Sequence, residues 1–401
     1  MPDPAAADVP LRRTTSQQVL IALGVLLTLS CVAMAGVVVA AEGTAGRLRT
    51  VDLSRALGGT GAAAVEPGSP RNVLIVGVDS ADGFAAGDDV RAQRDAAGLS
   101  GSLRSDTIMV LRIEPATTSA WLLSFPRDLW VEMGDRGWFE KINAALPTGG
   151  PELLIETISE NFDIPIDHYV QVDFAQFERL VDVVGGVRVP LVSGVRDGYT
   201  GLLVEEPGCV TFDGARSLAY VRSRHLEYLD ARTGRWVADP TSDLGRISRQ
   251  QDFVRRALER AVDRGLRNPV TAKRLVDTGL DGIVVDDGLD AGRILDLVTA
   301  YRSFEPAQLQ TYSLPVTFDT SAAGASIVRL VTRDAEPILD LFRGVGRPED
   351  VPAPVSTGPT TTTAPVVTTA PGAGSSPSTS PSTTAPRYGI VPTGDATTIC
   401  R

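Results

Sequence analysis

Lysine is nearly missing from this chain. Of 38 basic residues only Lys141 and Lys273 are lysines, and the rest are arginines. GC-rich coding accounts for much of that bias, yet arginine is also the better fork for phosphate oxygens. Histidine is scarce too, with His168 and His225 alone. A Ser–His–Asp triad would have to use one of them, and no GxSxG motif supports it. His168, in "IDHYVQV", reads as a residue packed on a strand. The three cysteines, Cys31, Cys209 and Cys400, show no CxxC or Cys/His spacing, so no zinc motif is present. GxxxxGK[ST] is absent, which excludes a P-loop. A net charge of −11 argues against a general nucleic-acid binder.

Apolar residues make up 43% of the 401, enough for a sizeable core. From Val19 to Ala41 no charge interrupts the run. As a helix it would span roughly 34 Å, enough for a hydrocarbon core of about 30 Å. Ala33-Met34-Ala35 resembles a signal-peptide cleavage site, but the run exceeds the usual h-region. We read 19–41 as an uncleaved transmembrane anchor, 1–18 as a cytoplasmic tail and 42–70 as a juxtamembrane tether. A globular domain over 71–347 would then lie outside the cytoplasmic membrane. Residues 348–386 are Thr/Pro/Ser-rich and cannot bury a core. Residues 387–401 regain apolar character in "YGIVP" and reach Cys400.

Within 71–347, "NVLIVGV" (72–78) reads as a strand covered on both faces, and 106–115 and 119–126 as two more. Segments 150–162 and 172–186 have helical spacing. "GVRVPL" and "SLAYVRSRH" (217–225) read as strands. Residues 242–265 read as a helix capped by Ser242, with Ile247, Val254 and Leu258 on one face. Strands alternating with helices predict an α/β fold with a central mixed β-sheet flanked by helices. Ligands in such sheets favour the carboxyl ends of strands.

Polar residues gather at element ends. Asp79 follows the first strand. Arg104 and Asp106 precede the second, and Arg127 and Asp128 end the third. Lys141 lies in "EKINAAL". On a strand, Arg222 and Arg224 would share a face and repel unless an anion lay between them. Arg246 and Gln250 sit beside the apolar face of the 242–265 helix, with Arg249 nearer its solvent edge. Singly, each reads as a turn or surface residue. Together, six basic groups and two carboxylates suit a pyrophosphate with Mg²⁺. "LLIETI" and "FERLVDVV" read either as ordinary core or as the lining of an apolar slot for a lipid.

The chain resembles the LytR-CpsA-Psr family. The resemblance rests on "NVLIVGVDS", "RSDTIMVLRIEP", "LLSFPRDLWV", "KINAALPTGGPELLIETI", "DHYVQVDFAQFERLVDVVGGV", "GCVTFDGARSLAYVRSRH" and "DLGRISRQQDFV", in that order over roughly Asn72 to Leu258. It implies a phosphotransferase acting on a polyprenyl-pyrophosphate-linked glycan. A glycosyl phosphate would move to a peptidoglycan sugar hydroxyl, and polyprenyl phosphate would leave. The polymer would be arabinogalactan- or teichoic-acid-like. By position, Asp79 and Asp106 would hold Mg²⁺, with Mn²⁺ as the alternative ion. Arg104, Arg127, Lys141, Arg222, Arg224, Arg246 and Gln250 would bind pyrophosphate. Asp106 and Arg127 would act on the reaction itself, Asp106 as metal ligand or as base. Segments 81–103 and 192–206 read as loops that could shape the acceptor groove. A non-catalytic lipid-binding regulator and a pyrophosphatase that uses water are the alternatives. Outside the cell disulfides persist, so Cys209 and Cys400 are expected to pair and pin "YGIVP" back onto the domain.

Overall fold

The computed structural model describes residues 48–58, 68–80, 104–351 and 400. The anchor (19–41), the 1–18 tail, segment 81–103, Cys31, "YGIVP" and nearly all of the Thr/Pro/Ser stretch lie outside these residues. Among the described residues no helix is long and apolar enough to cross a membrane.

The elements in order begin with β1 (Arg49–Val51), β2 (Arg71–Val78), β3 (Ser105–Glu114) and β4 (Ser119–Phe125). A short hairpin follows, β5 (Trp130–Glu132) and β6 (Phe139–Lys141), then α1 (Ala145–Phe162), β7 (His168–Val172) and α2 (Phe174–Val183). β8 (Val187–Leu191), β9 (Val195–Asp197), β10 (Leu202–Val204) and β11 (Gly208–Phe212) lead into α3 (Gly214–Arg222). β12 (Glu227–Asp230) and β13 (Arg235–Ala238) precede the long α4 (Ser242–Asp263). The remainder is α5 (Pro269–Gly279), β14 (Val284–Asp286), α6 (Ala291–Ala300), β15 (Gln310–Ser313), β16 (Val316–Thr320), β17 (Ser326–Leu330) and α7 (Thr332–Arg343).

Among the described residues the largest sheet has seven strands, ordered β1-β14-β7-β2-β3-β4-β15. It is mixed: β2 runs parallel to β7 and antiparallel to β3, and β3 runs antiparallel to β4. The register brings several strand ends to one edge. Gly77 pairs with Val172, Val78 with Ser105, and Ile108 with Phe125. So β2, β4 and β7 finish where β3 starts.

Both faces of this sheet are covered, which explains its continuous apolar runs. Leu74, Val76, Ile108 and Val110 pack with Leu153, Leu154 and Ile158 of α1. Met109, Ile113 and Leu122 face the other way, with Leu258 of α4 and Leu297 of α6 against them. Burying each such aliphatic side chain contributes about 1.5–3 kcal/mol. His168 lies fully buried on β7, its Nδ1 3.2 Å from Asp286 Oδ2.

Several expectations are corrected. Residues 217–225 are not a strand. Residues up to Arg222 form α3, whose N-terminus is capped by Asp213 Oδ1 accepting from Arg216 N at 2.9 Å. Gly214, Ser217, Leu218 and Val221 are buried, a helical spacing. The tether reading fails for 48–58, because β1 pairs in parallel with β14 and Leu53 is buried in the core. The domain also runs past 347, since Val351 packs in the same core. Segment 192–206 is a β9–β10 hairpin in a second sheet, ordered β10-β9-β12-β13. Ser242 is the first residue of α4, not its cap, and has φ +47°. Ile247 and Val254, seven residues apart, lie on one side of α4, but Ile247 is buried and Val254 exposed, so that side is covered only in part. "LLIETI" packs in the α1 core, while Phe177, Leu180, Val181 and Val184 of "FERLVDVV" lie in other clusters. The two segments therefore do not pack into one cluster.

Candidate active site

The site forms at the sheet edge where β2 and β4 end and β3 begins. Asp79 follows β2, and its backbone N donates to Arg104 O at 2.9 Å, just ahead of β3. Asp106 is the second residue of β3. Arg127 follows β4, behind Pro126. The N-terminal turn of α4 comes to the same place and carries Asp243 and Arg246. A helix N-terminus favours negative charge, and Asp243 supplies one.

Asp106 and Asp243 gather the arginines. Arg127 Nη1 donates to Asp106 Oδ1 at 2.8 Å, and Arg224 Nη2 lies 3.1 Å from Asp106 Oδ2. Asp243 Oδ1 lies 3.0 Å from Arg246 Nη2, 3.4 Å from Arg224 Nε and 3.6 Å from Arg127 Nε. Asp128 joins from the side, 2.8 Å from Lys141 Nζ and 3.6 Å from Arg127 Nε. Arg104, Arg127, Asp128, Lys141 and Asn143 line a cleft of about 340 Å³.

Burial and neighbouring charge together set the charge states in this cluster. The Arg246 side chain is 2% exposed. Burial, helped by Arg224 and Arg127, lowers its guanidinium to about 10 despite Asp243, so it stays charged at neutral pH. Burial opposes the charge on Arg127, but Asp106 and Asp243 outweigh it and hold that guanidinium above its ordinary value. Burial would raise the Asp106 carboxyl; Arg224, Arg246 and Arg127 more than offset this and keep it below the usual range. The buried Nε groups of Arg127 and Arg246 have no hydrogen-bond acceptor among the described residues.

A turn holds Arg224 in place. Asp197 Oδ2 accepts from Ser223 Oγ at 2.6 Å and from His225 N at 3.0 Å. On the other side Arg249 Nη2 donates to Ser223 O, and its Nη1 lies 2.9 Å from Asp239 Oδ2. The reading of Arg249 as a solvent-edge residue is thereby corrected, since both side chains of this pair are 1% exposed.

Of the expected residues, Asp106, Arg127, Arg224 and Arg246 converge directly, Lys141 through Asp128, and Arg104 through the shared cleft. Asp79 stands beside them through the Arg104 backbone. Arg222 does not share a strand face with Arg224. It ends α3, and its guanidinium lies over the Phe174 ring at 4.2 Å, past the end of β7. Gln250 is spent on structure: its Nε2 donates to Thr107 Oγ1 at 2.9 Å and to Val221 O at 3.1 Å. Cys209 and Cys400 are disulfide-bonded, with Cα atoms 4.9 Å apart. Sequence patterning does not single out Asp243, Asp197 or Asp239. Asp243 had only the signal of an acid in a first helical turn, the ordinary complement to the helix dipole.

Residues 46–340 match the LytR_cpsA_psr family, nearly three quarters of the chain. The chain is 35% identical over 233 residues to LcpB of Corynebacterium glutamicum, named "Probable cell wall biosynthesis protein"; this covers 58% of the chain and 52% of LcpB. It is 30% identical over 236 residues to TagU of Oceanobacillus iheyensis, a polyisoprenyl-teichoic acid–peptidoglycan teichoic acid transferase, covering 57% of the chain and 62% of TagU. The chain thus spans little more than half the length of these relatives. In fold it is similar to a LytR-Csp2A-Psr enzyme from Actinomyces oris, with TM-score 0.55 and 23% identity over 74% of this chain and 96% of that one.

Proposed function

We propose that this chain, which belongs to the LytR_cpsA_psr family, transfers a glycosyl phosphate from a polyprenyl-pyrophosphate-linked glycan to a peptidoglycan sugar hydroxyl. The observation that carries the reading is the convergence of Arg127, Arg224 and Arg246 on two carboxylates, beside a cleft lined by Arg104 and Lys141. Such a cluster suits an anion of several charges. Its similarity to proteins named for cell wall biosynthesis and teichoic acid transfer supports the substrate class. We take the polymer to be arabinogalactan- or teichoic-acid-like.

The acceptor oxygen attacks the sugar-proximal phosphorus. One P–O bond forms to that oxygen, the bridging P–O bond of the pyrophosphate breaks, and polyprenyl phosphate leaves, taking up the proton that the hydroxyl gives up. Arg127, Arg224 and Arg246 hold the charge that gathers on the leaving phosphate, where preorganised donors act most strongly. Asp106, held ionised by its arginines, is a poor match to a base tuned near working pH. We assign it to orienting the hydroxyl and the arginines.

Asp79 and Asp106 fit a divalent cation by donor chemistry. They stand beside the facing strand residues Val78 and Ser105. Each oxygen of Asp106 keeps lone-pair capacity after its guanidinium contact. Mg²⁺ asks for only one or two carboxylates when phosphates and waters complete its shell. Among the described residues no group of three or more His, Cys, Asp or Glu forms an all-protein cage. Bound there, Mg²⁺, or Mn²⁺ in its place, would neutralise pyrophosphate oxygens.

The disulfide supports an extracytoplasmic domain, since such bonds persist in oxidising compartments. We place the chain in the cytoplasmic membrane through 19–41. The test is binding of polyprenyl pyrophosphate against polyprenyl monophosphate, with and without Mg²⁺. Preference for the pyrophosphate that falls on chelation and in Asp79→Asn supports the reading; equal binding of both lipids refutes it.

A further inference from the structure

Tyr199 sits at the tip of the β9–β10 hairpin and is 74% exposed. An exposed aromatic standing alone needs no explanation. This one is anchored. The buried Asp197 carboxylate accepts from Tyr199 N at 2.8 Å through Oδ1, and from Ser223 Oγ and His225 N through Oδ2. A single carboxylate therefore fastens the hairpin tip to the turn that carries Arg224. The Tyr199 and His225 rings lie against each other, with centroids 4.3 Å apart and planes tilted by 34°. Both residues are exposed to solvent. Arg224, the residue before His225, reaches Asp106 at 3.1 Å.

We propose that the Tyr199–His225 pair is a platform for a pyranose ring, the donor sugar bonded directly to the phosphate. This rests on the pyrophosphate reading of the arginine cluster. A sugar ring has an apolar face of C–H groups, and an aromatic face carries the complementary negative quadrupole. The leaving phosphate held at Arg224 is bonded through the bridging oxygen to the sugar-proximal phosphate, and the platform begins one residue beyond Arg224, at His225. No charge is needed for such a contact, which leaves the hydroxyls free for recognition elsewhere. The hairpin thus contributes to which glycan is accepted, while the arginines bind what all donors share.

The experiment uses the full-length protein and two lipids: polyprenyl pyrophosphate, and the same lipid with one N-acetylhexosamine on its pyrophosphate. Tyr199→Ala should weaken the sugar-bearing lipid about tenfold and leave the sugar-free one unchanged. Tyr199→Phe, which keeps the ring, should match wild type on both. A thermal melt confirms that the variants fold. If Tyr199→Ala weakens both lipids equally, or neither, the platform is overturned. It is also overturned if only binding of a peptidoglycan disaccharide-peptide weakens, since the ring would then be the acceptor's. Should wild type fail to bind even the sugar-free lipid, the pyrophosphate reading itself has failed, and the platform falls with it.

Discussion

Arg224 Nη2 lies 3.1 Å from one oxygen of Asp106, and Arg127 Nη1 holds the other at 2.8 Å. One carboxylate thus parks two guanidiniums side by side at the head of β3. Parked cations need little reorganisation when an anion with several oxygens arrives, which is the condition for strong electrostatic catalysis.

Arg127→Ala and Arg224→Ala should each lower turnover about 10²–10³-fold at saturating donor. Lysine at either position should restore little, because an ammonium cannot reproduce the bidentate fork. Steady-state kinetics check this, with unfolding curves to show that both variants fold.

The Asp197 carboxyl lies below its ordinary value. Burial would raise it, but the bonds from Ser223 and from the Tyr199 and His225 amides outweigh burial. A depressed folded pKa gives stability that is full above the unfolded value of about 4 and is lost as pH falls through the folded value. Wild type should therefore lose stability more steeply below about pH 4 than Asp197→Asn does. Urea unfolding across that range measures the difference, and parallel curves would count against it.

Arg249 and Asp239 form an ion pair away from solvent, each 1% exposed. Removing one partner strands the other charge. Arg249→Ala should cost about 3–5 kcal/mol, and Arg249→Met with Asp239→Leu should recover much of it. Because Arg249 also holds the Ser223 carbonyl, the single variant should lose activity along with stability. Denaturant titration and turnover on the same samples test both.

The Cys209–Cys400 bond should appear as one linked peptide pair in a non-reducing digest. Serine at both positions should destabilise the domain by about 2–4 kcal/mol, read from chemical unfolding.

The strands β2, β3 and β4 are legible in the sequence because both sheet faces are covered, which leaves unbroken apolar runs. The helix α4 is legible from its length and spacing. The helix α3 is not. Over "SLAYVRSRH" a period of 2 and a period of 3.6 place the apolar residues almost equally well, and only the Asp213 cap tips the balance. Asp106, Arg127 and Arg246 stand out because they are charges at element ends. Asp243 hides, because an acid in a first helical turn is ordinary until three arginines are seen around it. Helical spacing also cannot tell that the α3–β12 turn covers Arg249.

The central claim is tested most directly by mass spectrometry of products from the full-length protein, Mg²⁺, a polyprenyl-pyrophosphate glycan and peptidoglycan oligomers. The expected products are peptidoglycan bearing the glycan through a phosphodiester and an equal amount of polyprenyl monophosphate, both lost in Arg127→Ala. Polyprenyl monophosphate released at the same rate without peptidoglycan, with free glycosyl phosphate and no phosphodiester product, would contradict it.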